Sequence, residues 1–205
     1  MQKINFQNLP NTTTPLNAQN MNAIQDNAET AIDAVDARVD ELVSSKPQIA
    51  TYGLSANTSM TTNTAVTIIP FDNLQSATSN SQFTLGNFTT TIGSGVGIVV
   101  PTGVTKLKVS SNVKFDNTSN ITMDFVNYMW KYVNSDGSAL TLSRTYSPSV
   151  ASGKSTGCVA PPILVDVVAG DMIFIRAYKS SNASGSTATI GGGVSQTYIT
   201  VETVE

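Results

Sequence analysis

The chain contains no histidine and a single cysteine, Cys158. The first absence removes the commonest general base and the commonest metal ligand together. The second excludes an intrachain disulfide and a thiolate zinc cluster. Charge is scarce as well: Asp, Glu, Lys and Arg make up 12% of the 205 residues, against 40% apolar residues, where roughly a quarter charged is ordinary for a soluble domain. The formal net charge is −3, from 11 basic and 14 acidic residues, and no basic tract occurs. Nucleic acid is therefore not an expected partner. No stretch approaches the ~20 apolar residues that span a bilayer, so no membrane partner is expected. The first residues lack the apolar core of an export signal, which predicts synthesis in a cytoplasm. Ser, Thr, Asn and Gly take the place of the missing charge, a composition suited to exposed β-structure and tight turns.

Three segments follow one another. Residues 1–20 are polar, rich in Asn and broken by Pro10 and Pro15, with Ile4, Phe6, Leu9 and Leu16 as scattered apolar anchors. Such a segment builds no core of its own; it is either a frayed tail or an extended docking segment, and the four anchors favour docking. Residues 21–45 form a stalk whose helix is predicted over 21–43, capped by Asn17 or Asn20. Ala28, Ile32, Val35, Val39 and Leu42 recur at alternating spacings of four and three, which is a heptad seam. At about three heptads the seam is short for an isolated coiled coil, and it does not by itself set the number of strands. An amphipathic helix packed on its own domain is the competing reading. Pro47 removes an amide hydrogen and ends the helical run.

Residues 46–205 read as strands between turn clusters. Leu107, Val109, Val113 and Phe115 alternate with Lys108, Ser110, Asn112 and Lys114, the period of a strand with one face in a core. Further strands are predicted at 121–133, 163–168, 172–178 and 196–204, with weaker candidates at 50–54, 65–71, 82–92 and 96–100. No helical period interrupts them. The expected fold is mainly β: an N-terminal coiled-coil helix followed by an antiparallel β-sandwich of jelly-roll type, with eight or nine strands.

The candidate chemistry is thin. Gly153-Lys154-Ser155 ends like a phosphate-binding loop, but Pro148 stands where the first glycine belongs and no helix follows. Gly93-Ser94-Gly95-Val96-Gly97 has the wrong spacing for a dinucleotide loop and opens a strand, so a hairpin turn or bulge is expected. Asp166 with Asp171, and Asp116 with Asp124, are the nearest carboxylate pairs; all four are expected at turns or outward strand positions, in water. Cys158 has no evident activating base. No cofactor and no metal are expected. Asn-x-Ser/Thr triplets such as Asn87-Phe88-Thr89 follow from the abundance of Asn and Thr. Aromatic residues give the remaining hint. Tyr128, Trp130 and Tyr132 share one strand face, and Tyr146 and Tyr178 lie near loops. Tyr128, Tyr146 and Tyr178 are candidates for a sugar-binding surface. For Trp130 a core or an inter-subunit contact is the stronger expectation.

The opening stretch from Ile4-Asn5-Phe6 through Thr14-Pro15-Leu16-Asn17-Ala18-Gln19-Asn20-Met21-Asn22 resembles the start of tailed-bacteriophage virion appendage proteins, where it leads into a helix. Residues 100–109 and 164–175 resemble the trimeric tumour-necrosis-factor-like jelly rolls of phage fibres. The resemblance implies a homotrimeric head fibre or tail appendage located in the virion. Its N-terminus would dock on a capsid or tail protein, and its β head would face outward, with a host cell-wall glycan as candidate partner. It supplies no catalytic residues. An architectural decoration protein without a receptor is the alternative, and a carboxylate-based depolymerase is a third.

Overall fold

The computed structural model describes residues 18–44, 46–60, 66–180, 186–193 and 196–204. The chain divides into two units, Met1–Lys46 and Pro47–Glu205. In the first, α1 spans Ala18–Ser44, about 40 Å at 1.5 Å per residue. It starts earlier than the periodicity suggests, so Asn20 sits inside it and does not cap it; Asn17 lies outside the described residues. Its polar surface is tied locally, with Gln25 Nε2 donating to Glu29 Oε1 at 3.2 Å and Thr30 Oγ1 donating to the Asp26 carbonyl at 2.9 Å. The helix stops three residues before Pro47, where the missing amide hydrogen forbids another turn.

The second unit is an antiparallel two-sheet sandwich. Its strands are β1 (Ile49–Gly53), β2 (Thr58–Met60), β3 (Val66–Ile68), β4 (Asn73–Ala77), β5 (Thr84–Thr90), β6 (Gly93–Val99), β7 (Lys106–Asn117), β8 (Phe125–Val133), β9 (Ser138–Tyr146), β10 (Ser155–Asp166), β11 (Met172–Lys179), β12 (Ala188–Ile190) and β13 (Tyr198–Thr203). In the first sheet the order runs β4-β1-β13-β7-β10, and β12 extends the edge of β7 that β13 occupies and carries β2. The second sheet runs β5-β6-β11-β8-β9, with β3 on the same edge of β11 as β6. Strands beyond the expected eight or nine are thus present. Those the periodicity missed are the three-residue β2 and β12, the polar β4 and β9, and the first half of β10.

The strict alternation of β7 is its burial pattern. Leu107, Val109, Val113 and Phe115 are fully buried, while the lysines between them face out. They meet Phe125, Met129, Ile173 and Ile175 of the second sheet in one core, the two inner faces interleaving as in other sandwiches. Phe115 and Phe125 stack at 4.6 Å across the sheets. One polar bridge crosses the same space: Asn127 Nδ2 donates to Ser111 Oγ at 2.9 Å and to the Cys158 carbonyl at 3.0 Å. Cys158 is buried, and its Sγ lies 3.0 Å from the Thr145 carbonyl oxygen. Burial pushes its thiol pKa up. At pH 8 a disulfide reagent should therefore modify the native chain on the order of a hundredfold or more slowly than the chain in guanidinium, as absorbance of the released thiol reports.

Two features break the rules of a regular strand for visible reasons. β10 contains Pro161-Pro162, where its register against β7 shifts between Ala160 and Ile163. Among the described residues β10 pairs with β7 alone, so it is an edge strand there, the place where proline is tolerated. In β6 the glycines Gly95 and Gly97 lie beneath Phe88 of β5. A Cβ on Gly95 would come within 2.5 Å of Ile68 Cγ2, and one on Gly97 within 2.9 Å of Met172 Cβ. The glycine run is thus the floor on which Phe88 lies.

Candidate ligand-binding face

Each strand of the second sheet turns alternate residues toward the core and away from it. On β8 the outward set is Val126, Tyr128, Trp130 and Tyr132. On β11 it is Met172, Phe174, Arg176 and Tyr178, paired in register as Trp130 with Phe174 and Tyr128 with Arg176. β9 adds Arg144 opposite Tyr128 and Tyr146 opposite Val126. The result is an aromatic sheet face with two distinct halves.

Toward β5 the rings are covered. Phe88 lies 4.3 Å from Phe174 and 5.6 Å from Tyr132, and both phenylalanines are buried. This half is a second small core outside the sandwich, and packing accounts for it. Toward β9 and β3 the face opens into a groove of about 220 Å³ lined by Val66, Tyr128, Trp130, Arg176 and Tyr178. Tyr128 and Tyr178 meet edge to face at 6.3 Å. The Arg176 guanidinium lies over the Trp130 ring at 4.9 Å, and that of Arg144 over Tyr128 at 5.9 Å. Arg144 Nη1 also reaches the Tyr146 hydroxyl at 3.5 Å.

Electrostatically the groove is one-sided. Among the described residues no carboxylate lines it and neither arginine forms an ion pair. Burial pulls the pKa of Arg176 down, with the Tyr128 phenol acting the other way. The Arg176 Nε–H and Trp130 Nε1–H groups are buried without an acceptor, a condition most native structures avoid.

The three predicted surface tyrosines, Tyr128, Tyr146 and Tyr178, are on this one face. Trp130 joins them there and is not part of the core between the sheets. The stalk residues Ala28, Ile32, Val35, Val39 and Leu42 all lie on α1, each solvent-exposed in the single chain. The docking anchors Ile4, Phe6, Leu9 and Leu16 lie outside the described residues. Residues that the sequence reading missed are the two arginines. Arg176 stands in the apolar run Met172–Tyr178, where a charged side chain is rarely buried without a reason; that was the available signal. Arg144 gave none, being embedded in a polar Ser/Thr strand.

The four aspartates separate. Asp166 is exposed and Asp116 is half-buried, paired with Lys114. Asp124 is also exposed and accepts from Ser149 Oγ at 2.5 Å. Asp171 corrects the expectation of a solvated carboxylate: it is 1% exposed. Among the described residues no group of three potential metal-ligating side chains comes together.

This architecture is a jelly roll of the tumour-necrosis-factor type. The structure of Eiger TNF from S. frugiperda matches with a TM-score of 0.52 at 12% identity, over 78% of this chain and 94% of that one. Murine APRIL at pH 5.0 matches with a TM-score of 0.51 at 15% identity, over 78% of this chain and all of that one. At these identities the likeness is one of fold. No model of a known protein family matches the sequence, and no curated protein does.

Proposed function

We propose that the protein is a non-enzymatic component of a bacteriophage virion, a short homotrimeric fibre whose β head contacts the host cell surface. The observation that carries this reading is a helix with an exposed heptad seam joined to a tumour-necrosis-factor-like head that has an apolar edge in water. Of the large apolar side chains exposed on the head, Leu140, Val159, Leu164 and Val168 lie on β9, on β10 or in the turn after it. Exposed apolar side chains on edge strands suit an association surface. Leu74, on β4 at the far edge of the same sheet as β10, is exposed as well. A closed ring of three joins two different patches of each subunit, and these two edges supply them. The resemblance of the first 22 residues to phage appendage proteins supports a docking end at the N-terminus, on a capsid or tail protein.

Mass photometry of the full chain should give three times the chain mass at micromolar concentration. The double change Val159→Lys, Leu164→Lys should leave the fold intact, because both side chains are already more than half exposed, yet shift the population to monomer. A wild-type monomer sinks the trimer. Saturable binding of the full chain to host cell walls separates a receptor-binding fibre from an architectural decoration.

A further inference from the structure

The groove on the second sheet has a chemistry more specific than that of an apolar patch. Its rings are laid out by strand pairing, so they are rigid platforms with few rotamers to lose on binding. Its cations already lie on its rings: the Arg176 guanidinium over Trp130 and that of Arg144 over Tyr128. The chain has three arginines in all, and the two in the head flank this one groove. Packing explains the covered half of the face, where Phe88 closes over Phe174 and Tyr132. It does not explain two guanidinium groups without carboxylate partners among the described residues, beside three tyrosines and the sole tryptophan of the chain.

We infer that this groove binds one unit of an anionic carbohydrate, with a sugar ring against the Trp130, Tyr128 and Tyr178 rings and its phosphate or carboxylate on Arg176 and Arg144. The inference rests on the surface-binding role proposed above and names the chemistry of the receptor. Size fits the assignment. A cavity of about 220 Å³ falls below the roughly 300–1,000 Å³ of sites that hold drug-sized ligands, so it takes a single ring of a longer polymer. Charge fits as well. A planar fork of donors matches phosphate and carboxylate oxygens two at a time, and no lining acid opposes them. Desolvated aromatic and cationic pairs gain most from a ligand that excludes the remaining water.

Trp130 makes the test direct, because its emission reports on the groove alone. The full chain is titrated with glucosylated poly(glycerol phosphate), with polyglucuronate and with uncharged dextran. Saturable binding to at least one anionic polymer, with a change in Trp130 emission and none with dextran, is expected; which polymer binds distinguishes phosphate from carboxylate. Arg176→Gln should weaken that binding about tenfold or more, and Tyr178→Ala should weaken it too. Lys108→Gln, on the opposite sheet, should leave it unchanged. Equal binding of dextran, binding indifferent to Arg176→Gln, or silent Trp130 emission would each overturn the inference. A fall in particle mass caused by Arg176→Gln would also overturn it, by showing the groove to be a subunit contact. Cell walls stripped of their anionic polymers separate the two levels. Binding that survives stripping keeps the surface-binding role and defeats the inference, whereas failure to bind intact walls defeats both.

Discussion

Phe115→Ala should destabilise the β head by about 4 kcal/mol, the largest effect expected of any single truncation in this protein. Phe115 is fully buried on β7 and stacked on Phe125 of the other sheet. Removing the ring deletes both the transfer free energy of its carbons and the contact between the two layers. Its neighbours Val113, Ile190 and Phe125 sit on paired strands, which limits how far they can slide inward to fill the space. Urea denaturation followed by Trp130 fluorescence should show a lower midpoint with an unchanged slope, because the surface exposed on unfolding is nearly the same. Phe115→Leu, which keeps most of the volume, should cost about 1 kcal/mol. A loss near 1 kcal/mol for the alanine variant would mean that the sheets can collapse around the gap.

Asp171→Ala should be nearly as damaging, at about 3 kcal/mol. The carboxylate accepts from the Asn134 amide at 3.0 Å through one oxygen and from the Val168 amide at 3.1 Å through the other. Lys131 Nζ lies 3.5 Å from it. Asp171 thus ties the turn after β8 to the turn before β11. That second turn depends on Gly170, whose φ of 87° suits glycine and whose hydrogen faces Asn134. Truncation strands two amide donors and leaves Lys131 without its buried partner. For a domain of this size, thermal unfolding should shift down by about 10 °C. Asp166→Ala is the control: its side chain is 89% exposed beside Lys106, and pairs of that kind add little.

The two aspartates mark where sequence was informative and where it was not. Both precede or follow short apolar runs, five positions apart, and nothing local distinguishes them. What does is the pairing of β8 with β11, a contact between residues some forty positions apart. The alternation in β7 was readable because one face of that strand meets the core and the other meets water. β9 and β4 were not readable, since edge strands bury too little to need apolar residues at every second position. The aromatic face was half legible. Period two in β8 put Tyr128, Trp130 and Tyr132 on one side, but only the register of β9 and β11 brings Arg144 and Arg176 to them. The heptad seam on α1 was plain in the residues, as a local period always is.

The proline pair in β10 bears on what happens when heads are crowded together. An exposed edge strand is an open template, and a regular one invites its neighbour to add hydrogen bonds without limit. Pro161 and Pro162 remove two amide hydrogens in the middle of β10, where its register against β7 also shifts, and so interrupt such a ladder. In the proposed trimer, contact between neighbouring heads through this edge would therefore be made by side chains such as Val159 and Leu164. Side-chain contacts stop when the matching patches are used up, so an edge of this kind would keep the number of copies finite and guard against fibrillar aggregation.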